Sequence, residues 1–362
     1  MKRILILFLL LTASNSLRGQ TGNKVIWITI DGLRWQELYT GVDSLLLNNP
    51  HFVGTNNELK ESFWNEDPEV RRNLLFPFFW KTAVEKGIFL GNRLKGNNFE
   101  VSNKVLMSYA GYQEILAGFP DDENIKDNSK IENPNETLLE ALNKDPRYQD
   151  KIGVFASWDV FPYILNEKRS GLKVNAGYRT GLNNNPGPNE LLLDKMQEEI
   201  PRRWQSVRFD TFTHNYALEY LKNQKPELIF IGYGETDDFA HEGNYEKYLE
   251  AAHNTDKLIA ELWEYVQADP FYKDQTTFVI TTDHGRGEAE TEKNTWKHHG
   301  PSIENSEQTW FIAFGNRVKK TGEADFVARF YANQVAATVA GLLNSGYKVP
   351  ARAGAPLPII KD

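Results

Sequence analysis

Residues 24–32 read Lys-Val-Ile-Trp-Ile-Thr-Ile-Asp-Gly, a strand-forming run that ends abruptly in an aspartate and a glycine. The run is apolar almost throughout instead of alternating, which is how a strand covered on both faces reads. The pattern recurs. Residues 227–233 (Glu-Leu-Ile-Phe-Ile-Gly-Tyr) lead into Gly234-Glu235-Thr236-Asp237, and residues 276–281 (Thr-Thr-Phe-Val-Ile-Thr) lead into Thr282-Asp283-His284-Gly285. Residues 309–314 (Thr-Trp-Phe-Ile-Ala-Phe) give a fourth strand, with shorter candidates at 88–91 and 152–156. Helical spacing fills 75–86, 212–223, 245–267 and, after the last strand, 326–343. Strands alternating with helices predict an α/β fold: a mainly parallel sheet sandwiched between helices. Such sheets bind ligands beyond the carboxyl ends of their strands. Three of the four clear strands are followed within a few residues by Asp31, Asp237 or Asp283.

The other bounds agree with a globular protein. Hydrophobic residues make up 40% of the 362-residue chain, and 9 Trp, 15 Tyr and 21 Phe supply a large core, which excludes disorder. The net charge of -8 comes with no long basic run, so no nucleic-acid-binding surface is evident. Without cysteine there is no disulfide, thiolate metal site or thiol nucleophile. Lys2 and Arg3, followed by a short apolar run, predict a signal peptide over residues 1–20 and export to the periplasm or medium. That run is too short to span a membrane, and no other candidate span exists, so the mature protein carries none. Residues 21–362 then form one catalytic-size domain. Within it, residues 119–225, which include the Gly/Asn/Pro-rich stretch 168–190, read as an insertion forming a lid or small subdomain. The oligomeric state is not legible.

Four of the seven histidines lie in short polar clusters: Asp237-Asp238-Phe239-Ala240-His241, Asp283-His284-Gly285 and Lys297-His298-His299-Gly300. Carboxylates with imidazoles and no thiolate suit zinc or manganese. Asp237 and His241 are spaced so that one helical turn aims both at one ion. Adjacent Asp283 and His284 can reach one ion if the backbone turns sharply, and Gly285 allows that turn. Ser108, in Met-Ser-Tyr-Ala-Gly-Tyr-Gln-Glu-Ile-Leu-Ala-Gly (107–118), stands where a helix begins. One reading is a plain helix cap. The other is a nucleophile at an anion-attracting helix terminus.

Taken together, in this order, these residues resemble the alkaline phosphatase superfamily, in particular its branch of nucleotide pyrophosphatases and type I phosphodiesterases. The resemblance runs from Ile30-Asp31-Gly32 to His299-Gly300, and residues 334–343 look like the family's last helix. It implies two divalent metal ions, zinc first and manganese as the alternative. Asp237, His241 and His299 would hold one ion. Asp31, Asp283 and His284 would hold the other, with the Ser108 oxygen as a further ligand. It also implies hydrolysis of a small-molecule phosphate ester, mono- or diester, through a phosphoserine on Ser108. Asp127-Asn128 looks like the pair whose asparagine contacts substrate oxygens, and Arg286 and Lys297 stand near enough to the ligand clusters to add positive charge. The chain departs from both subgroups. Diesterases carry threonine where Ser108 stands, and alkaline phosphatases carry aspartate where Met107 stands. A sulfatase would need a Cys/Ser-x-Pro-x-Arg motif, which is absent around Ser108. Two other readings remain: a phosphoryl transferase of the same superfamily, and a catalytically silent metal-binding protein of the cell envelope.

Overall fold

A computed structural model describes residues 22–54, 58–183, 185–289, 291 and 293–361; the expected signal peptide, residues 1–20, lies outside them. Among the described residues the strands are β1 (Lys24–Ile30), β2 (Gly87–Leu90), β3 (Asn97–Glu100), β4 (Ile152–Ala156), β5 (Val174–Ala176), β6 (Leu228–Tyr233), β7 (Thr276–Thr281), β8 (Gln308–Thr309), β9 (Phe311–Gly315), β10 (Gly322–Glu323) and β11 (Ala328–Tyr331). Eight of them form one sheet in the order β10-β2-β9-β7-β1-β6-β4-β5, and β11-β3-β8 form a second, small one. From β7 to β5 all neighbours are parallel, while β9 runs antiparallel to both β7 and β2. The mainly parallel α/β architecture is the one read from the sequence.

β1 lies near the middle of the large sheet, and all seven of its residues are buried. Its near-continuous apolar run hides a period of two. Ile26, Ile28 and Ile30 enter the apolar layer built with helices Asp210–Gln224 and Tyr245–Ala268. Val25 and Trp27 enter the opposite layer, with helices Ser108–Ala117 and Val335–Leu343. Each large side chain so buried contributes about 1.5–3 kcal/mol, and both faces draw on it.

Three local readings change. Residues 309–314 are not one strand: Trp310 separates β8, in the small sheet, from β9, in the large one. The expected helix 326–343 begins only at Val335, because the β-favouring Ala-Arg-Phe-Tyr of β11 pairs with β3 instead. The expected helix 75–86 is broken, with Pro68–Leu75 ending before Pro77 and a π-helical turn following at Phe79–Ala83. Proline supplies no N–H and so interrupts the ladder there. Residues 119–225 contribute β4 and β5 to the large sheet, and helix Asp210–Gln224 lies in the layer covering it. The Gly/Asn/Pro-rich stretch 168–190 contains β5, an edge strand of that sheet.

The chain around that break is held by Asp256, whose carboxylate accepts Phe78 N (2.8 Å) and Phe79 N (2.9 Å). Burial outweighs these two bonds and raises its pKa from 3.8 to about 7. A carboxyl raised in the folded state binds its proton more tightly there than in the unfolded chain. Its contribution therefore holds at low pH and is lost as pH rises through about 4 to 7, on the order of a few kcal/mol in all. Asp256→Asn is expected to flatten the fall in melting temperature over that window, measured by thermal denaturation against the wild type.

Candidate metal centre and nucleophile

β1, β6 and β7 end level, with Ile30 opposite Tyr233 and Thr29 opposite Thr281. The residues just beyond them therefore share one rim. Asp31 follows β1. Asp237 and His241 come from the short helix Glu235–His241 after β6. Asp283 and His284 follow β7. The loop before Gly300 brings His299 to the same place. Two groups form. Asp31, Asp283 and His284 are all buried, and each offers a ligand atom within 4.8 Å of the other two; Asp237, His241 and His299 do the same at the more open side.

In the inner group His284 Nε2 lies 3.4 Å from Asp31 Oδ1, 3.5 Å from Asp283 Oδ2 and 3.6 Å from Asp237 Oδ1. The other ring nitrogen is 3.1 Å from Gly285 O, to which it can donate, which turns the Nε2 lone pair toward the carboxylates. Asp31 Oδ1 and Asp283 Oδ2 are buried without a hydrogen-bond partner. Each carboxylate spends its other oxygen on the protein: Asp31 Oδ2 accepts Tyr112 OH at 2.9 Å, and Asp283 Oδ1 accepts Gly32 N at 3.1 Å. Leaving ionised oxygens buried and unpaired costs several kcal/mol. The donor set and its two orphaned oxygens thus fit a divalent cation. The electrostatics of the group point the same way. Burial and the Asp31 charge push Asp283 up to about 7. Burial opposes charge on His284, but Asp283 and Asp31 outweigh it and raise the ring to about 9.

In the outer group His241 Nε2 is 3.2 Å from His299 Nε2 and 3.3 Å from Asp237 Oδ2. His299 Nδ1 donates to Leu106 O at 2.9 Å, which fixes the other nitrogen as the free one. Burial and the neighbouring His284 lower His241 to about 4 and hold His299 well below its usual value, leaving neutral imidazoles, the form that ligates. Its neighbour His298 is exposed and meets the far nitrogen of His241 at 3.2 Å.

Ser108 is the first residue of the buried helix Ser108–Ala117, and the cap position belongs to Met107, which cannot cap. Its hydroxyl makes no capping bond; Oγ points to His284 Nε2 at 3.3 Å. The plain-cap reading therefore falls away. The cap is supplied from a distance by Asn128, whose Oδ1 accepts Tyr109 N at 3.0 Å, so Asn128 stands beside Ser108. Arg286 is turned inward: Nε donates to Gly32 O (3.0 Å), Nη1 to Lys297 O (2.8 Å), and Nη2 meets the Asp237 carboxylate. Arg286 is thus a buried strut between strand ends that also holds the Asp237 carboxylate. Lys297 is half-buried, with Nζ 5.9 Å from the Phe52 ring centroid.

Sequence reading missed the supports. Tyr112, one turn beyond Ser108, faces the same way and holds Asp31; the i, i+4 spacing was the available signal. Thr236 donates its hydroxyl to Asp31 O. Asp210 and Glu235 cap each other's helices. Asp210 accepts Gly234 N (2.8 Å) and Glu235 N (3.1 Å), and Glu235 accepts Asp210 N (2.7 Å). No spacing rule reveals that pair.

Gly285 was read as allowing a sharp turn, but it has no left-handed φ. What it supplies is room: a Cβ there would lie 2.3 Å from Gln308 O. Gly111 does the same for the nucleophile helix, since a Cβ would meet Asp283 O at 2.1 Å. Gly111→Ala must push that helix off the end of β7. A loss of about 1–3 kcal/mol in stability and a larger loss of turnover are expected, read by denaturation and by steady-state rates.

Residues 210–343 match the family model of the Metalloenzyme superfamily. No curated protein sequence matches the chain. Solved structures match nearly its whole length. Wild-type alkaline phosphatase PafA aligns with a TM-score of 0.63 at 9% identity, covering 94% of this chain and 99% of its own. A 2-O GAG sulfatase aligns at 0.56 and 15% identity, covering 93% and 73%. Murine ectonucleotide pyrophosphatase/phosphodiesterase 5, an inactive form in complex with AMP, aligns at 0.54 and 12% identity, covering 92% and 97%. The chain thus shares the alkaline phosphatase-like fold along nearly its whole length, and its residues 210–343 match the metalloenzyme family pattern, in keeping with the resemblance read from the sequence.

Proposed function

We propose that the protein is an exported hydrolase of small-molecule phosphate esters that works through a phosphoserine on Ser108, with mature residues 21–362 forming one catalytic domain. The observation that carries this reading is the Ser108 hydroxyl, at the start of a buried helix and 3.3 Å from Nε2 of His284, a member of the inner group of potential ligands. Asp237, His241 and His299 would hold one divalent ion, and Asp31, Asp283 and His284 a second, zinc suiting the donors first and manganese next. When bound, these ions supply positive charge to the oxygens around phosphorus and make the serine hydroxyl and a water easier to deprotonate.

The chain's own residues do the rest. Ser108 gives up its proton as Oγ attacks phosphorus, and the bond to the departing oxygen breaks. Water then attacks the phosphoserine and returns Oγ to the enzyme. The helix terminus favours the negative charge that gathers there. Asn128 Oδ1 is spent on Tyr109 N, which leaves its Nδ2 to donate to a substrate oxygen. Arg286 positions Asp237 and Tyr112 positions Asp31, so neither ligand swings away as charge moves. The 119–225 stretch, which brings Asn128 to Tyr109 N and the Trp158 ring to 6.4 Å from that of Tyr112, would select the ester's organic group.

The test is a side-by-side assay of the purified mature protein, loaded with zinc or manganese, on p-nitrophenyl phosphate and bis-p-nitrophenyl phosphate. Turnover of either is expected, and the preferred one separates monoesterase from diesterase. Metal binding with no turnover of either, and no new ester when an acceptor alcohol is added, would overturn the proposal in favour of a silent binding protein.

A further inference from the structure

At the amino end of β7, the end of the sheet away from the metal centre, a cleft of about 450 Å³ opens between helix Tyr245–Ala268, the turn after β9 and the last described residues. A strand of this length puts it about 20 Å from Asp283. Lys86, Arg317, Lys320 and Lys361 line it, with Trp263 and a single acid, Asp274. The chain as a whole carries a net charge of -8, so acids are plentiful, yet these four cations form no ion pair among the described residues. Gathering like charges without neutralising them costs free energy unless an anion is there to accept them.

Two details sharpen the point. Arg317 is half-buried, and its Nε has no hydrogen-bond partner within the protein, so none of the described acids neutralises it there. Arg317 also holds a left-handed backbone, φ +60°, and its carbonyl accepts Lys361 N at 2.8 Å, which draws the two cations to one wall. On the other wall Lys86 Nζ lies 5.9 Å from the Trp263 ring centroid. The geometry points to a second binding site, separate from the metal centre, for a small organic ligand bearing two or more phosphate or sulfate ester groups. The volume exceeds what one inorganic oxyanion fills and lies in the ordinary range for small-molecule sites. Guanidinium and ammonium groups are the usual partners of such oxygens.

The experiment is calorimetric titration of the metal-loaded protein with a disulfated disaccharide at low salt. One equivalent is expected to bind, more weakly as salt rises. Arg317→Ala with Lys320→Ala should weaken binding by about tenfold or more and leave ester hydrolysis unchanged, while Lys195→Ala, on a distant exposed helix, should change neither. A bisphosphorylated sugar, titrated into Ser108→Ala protein so that it is not consumed, distinguishes a phosphate ligand from a sulfate ligand by which binds tighter. Undiminished binding in the double variant, no binding of either probe, or binding that only competes with ester substrate would overturn the proposal.

Discussion

Ser108→Ala is expected to lose about 10³-fold or more in turnover while keeping its metal and its fold. The hydroxyl makes no capping bond, and the helix start is held instead by Asn128 on Tyr109 N, so removing Oγ leaves the local structure intact. Nothing nearby can replace it. Among the described residues no other hydroxyl makes a hydrogen bond to His284 Nε2. Metal content by atomic absorption, melting temperature and rate on the better ester decide the matter together. Trapping by acid should give a phosphorylated Ser108 peptide in the wild type and none in the variant. Full activity in Ser108→Ala would remove the nucleophile from the mechanism; activity lost together with metal would make Ser108 a ligand first.

Asp283→Ala is expected to lower both metal content and turnover, the latter by more than about 100-fold. Its less obvious consequence concerns stability. Without metal, the buried Oδ2 of Asp283 has no partner, and burial with the Asp31 charge raises the carboxyl to about 7. The folded state then binds that proton more tightly than the unfolded chain does, so the metal-free wild type should lose stability as pH rises through about 4 to 7. Metal reverses the balance, because the ionised carboxylate becomes a ligand. In chelator near neutral pH, Asp283→Ala should therefore melt no lower than the wild type. With metal added, the wild type alone should gain. Equal gains in both proteins would show that Asp283 holds no metal.

The strands that carry this chemistry were legible because burial on both faces writes itself as unbroken apolar runs, and β1, β4 and β7 lie where those runs lie. Residues 309–314 misled because their apolar run serves two sheets in succession. Residues 326–343 misled because a helix-compatible apolar spacing hid a short edge strand whose pairing with β3 lies more than 200 residues away in sequence. The ligand types were legible from clustering beside strand ends, but the supports were not. Arg286 carries a surface-type composition signal and is a buried strut; Asp210 and Glu235 meet only in three dimensions. Sequence distance conceals such pairs because the hydrogen bonds that define them are set by tertiary packing, not by local periodicity.

The contact between Gly111 and the Asp283 carbonyl has a bearing on descent as well as on rate. It welds the serine's helix to the strand end that bears a metal ligand, with no space for even a methyl group. A lineage with this core cannot adjust the spacing of its chemistry by small steps, since each step costs the fold. New substrates must be won in the loops that border the rim, and the chemistry is inherited whole.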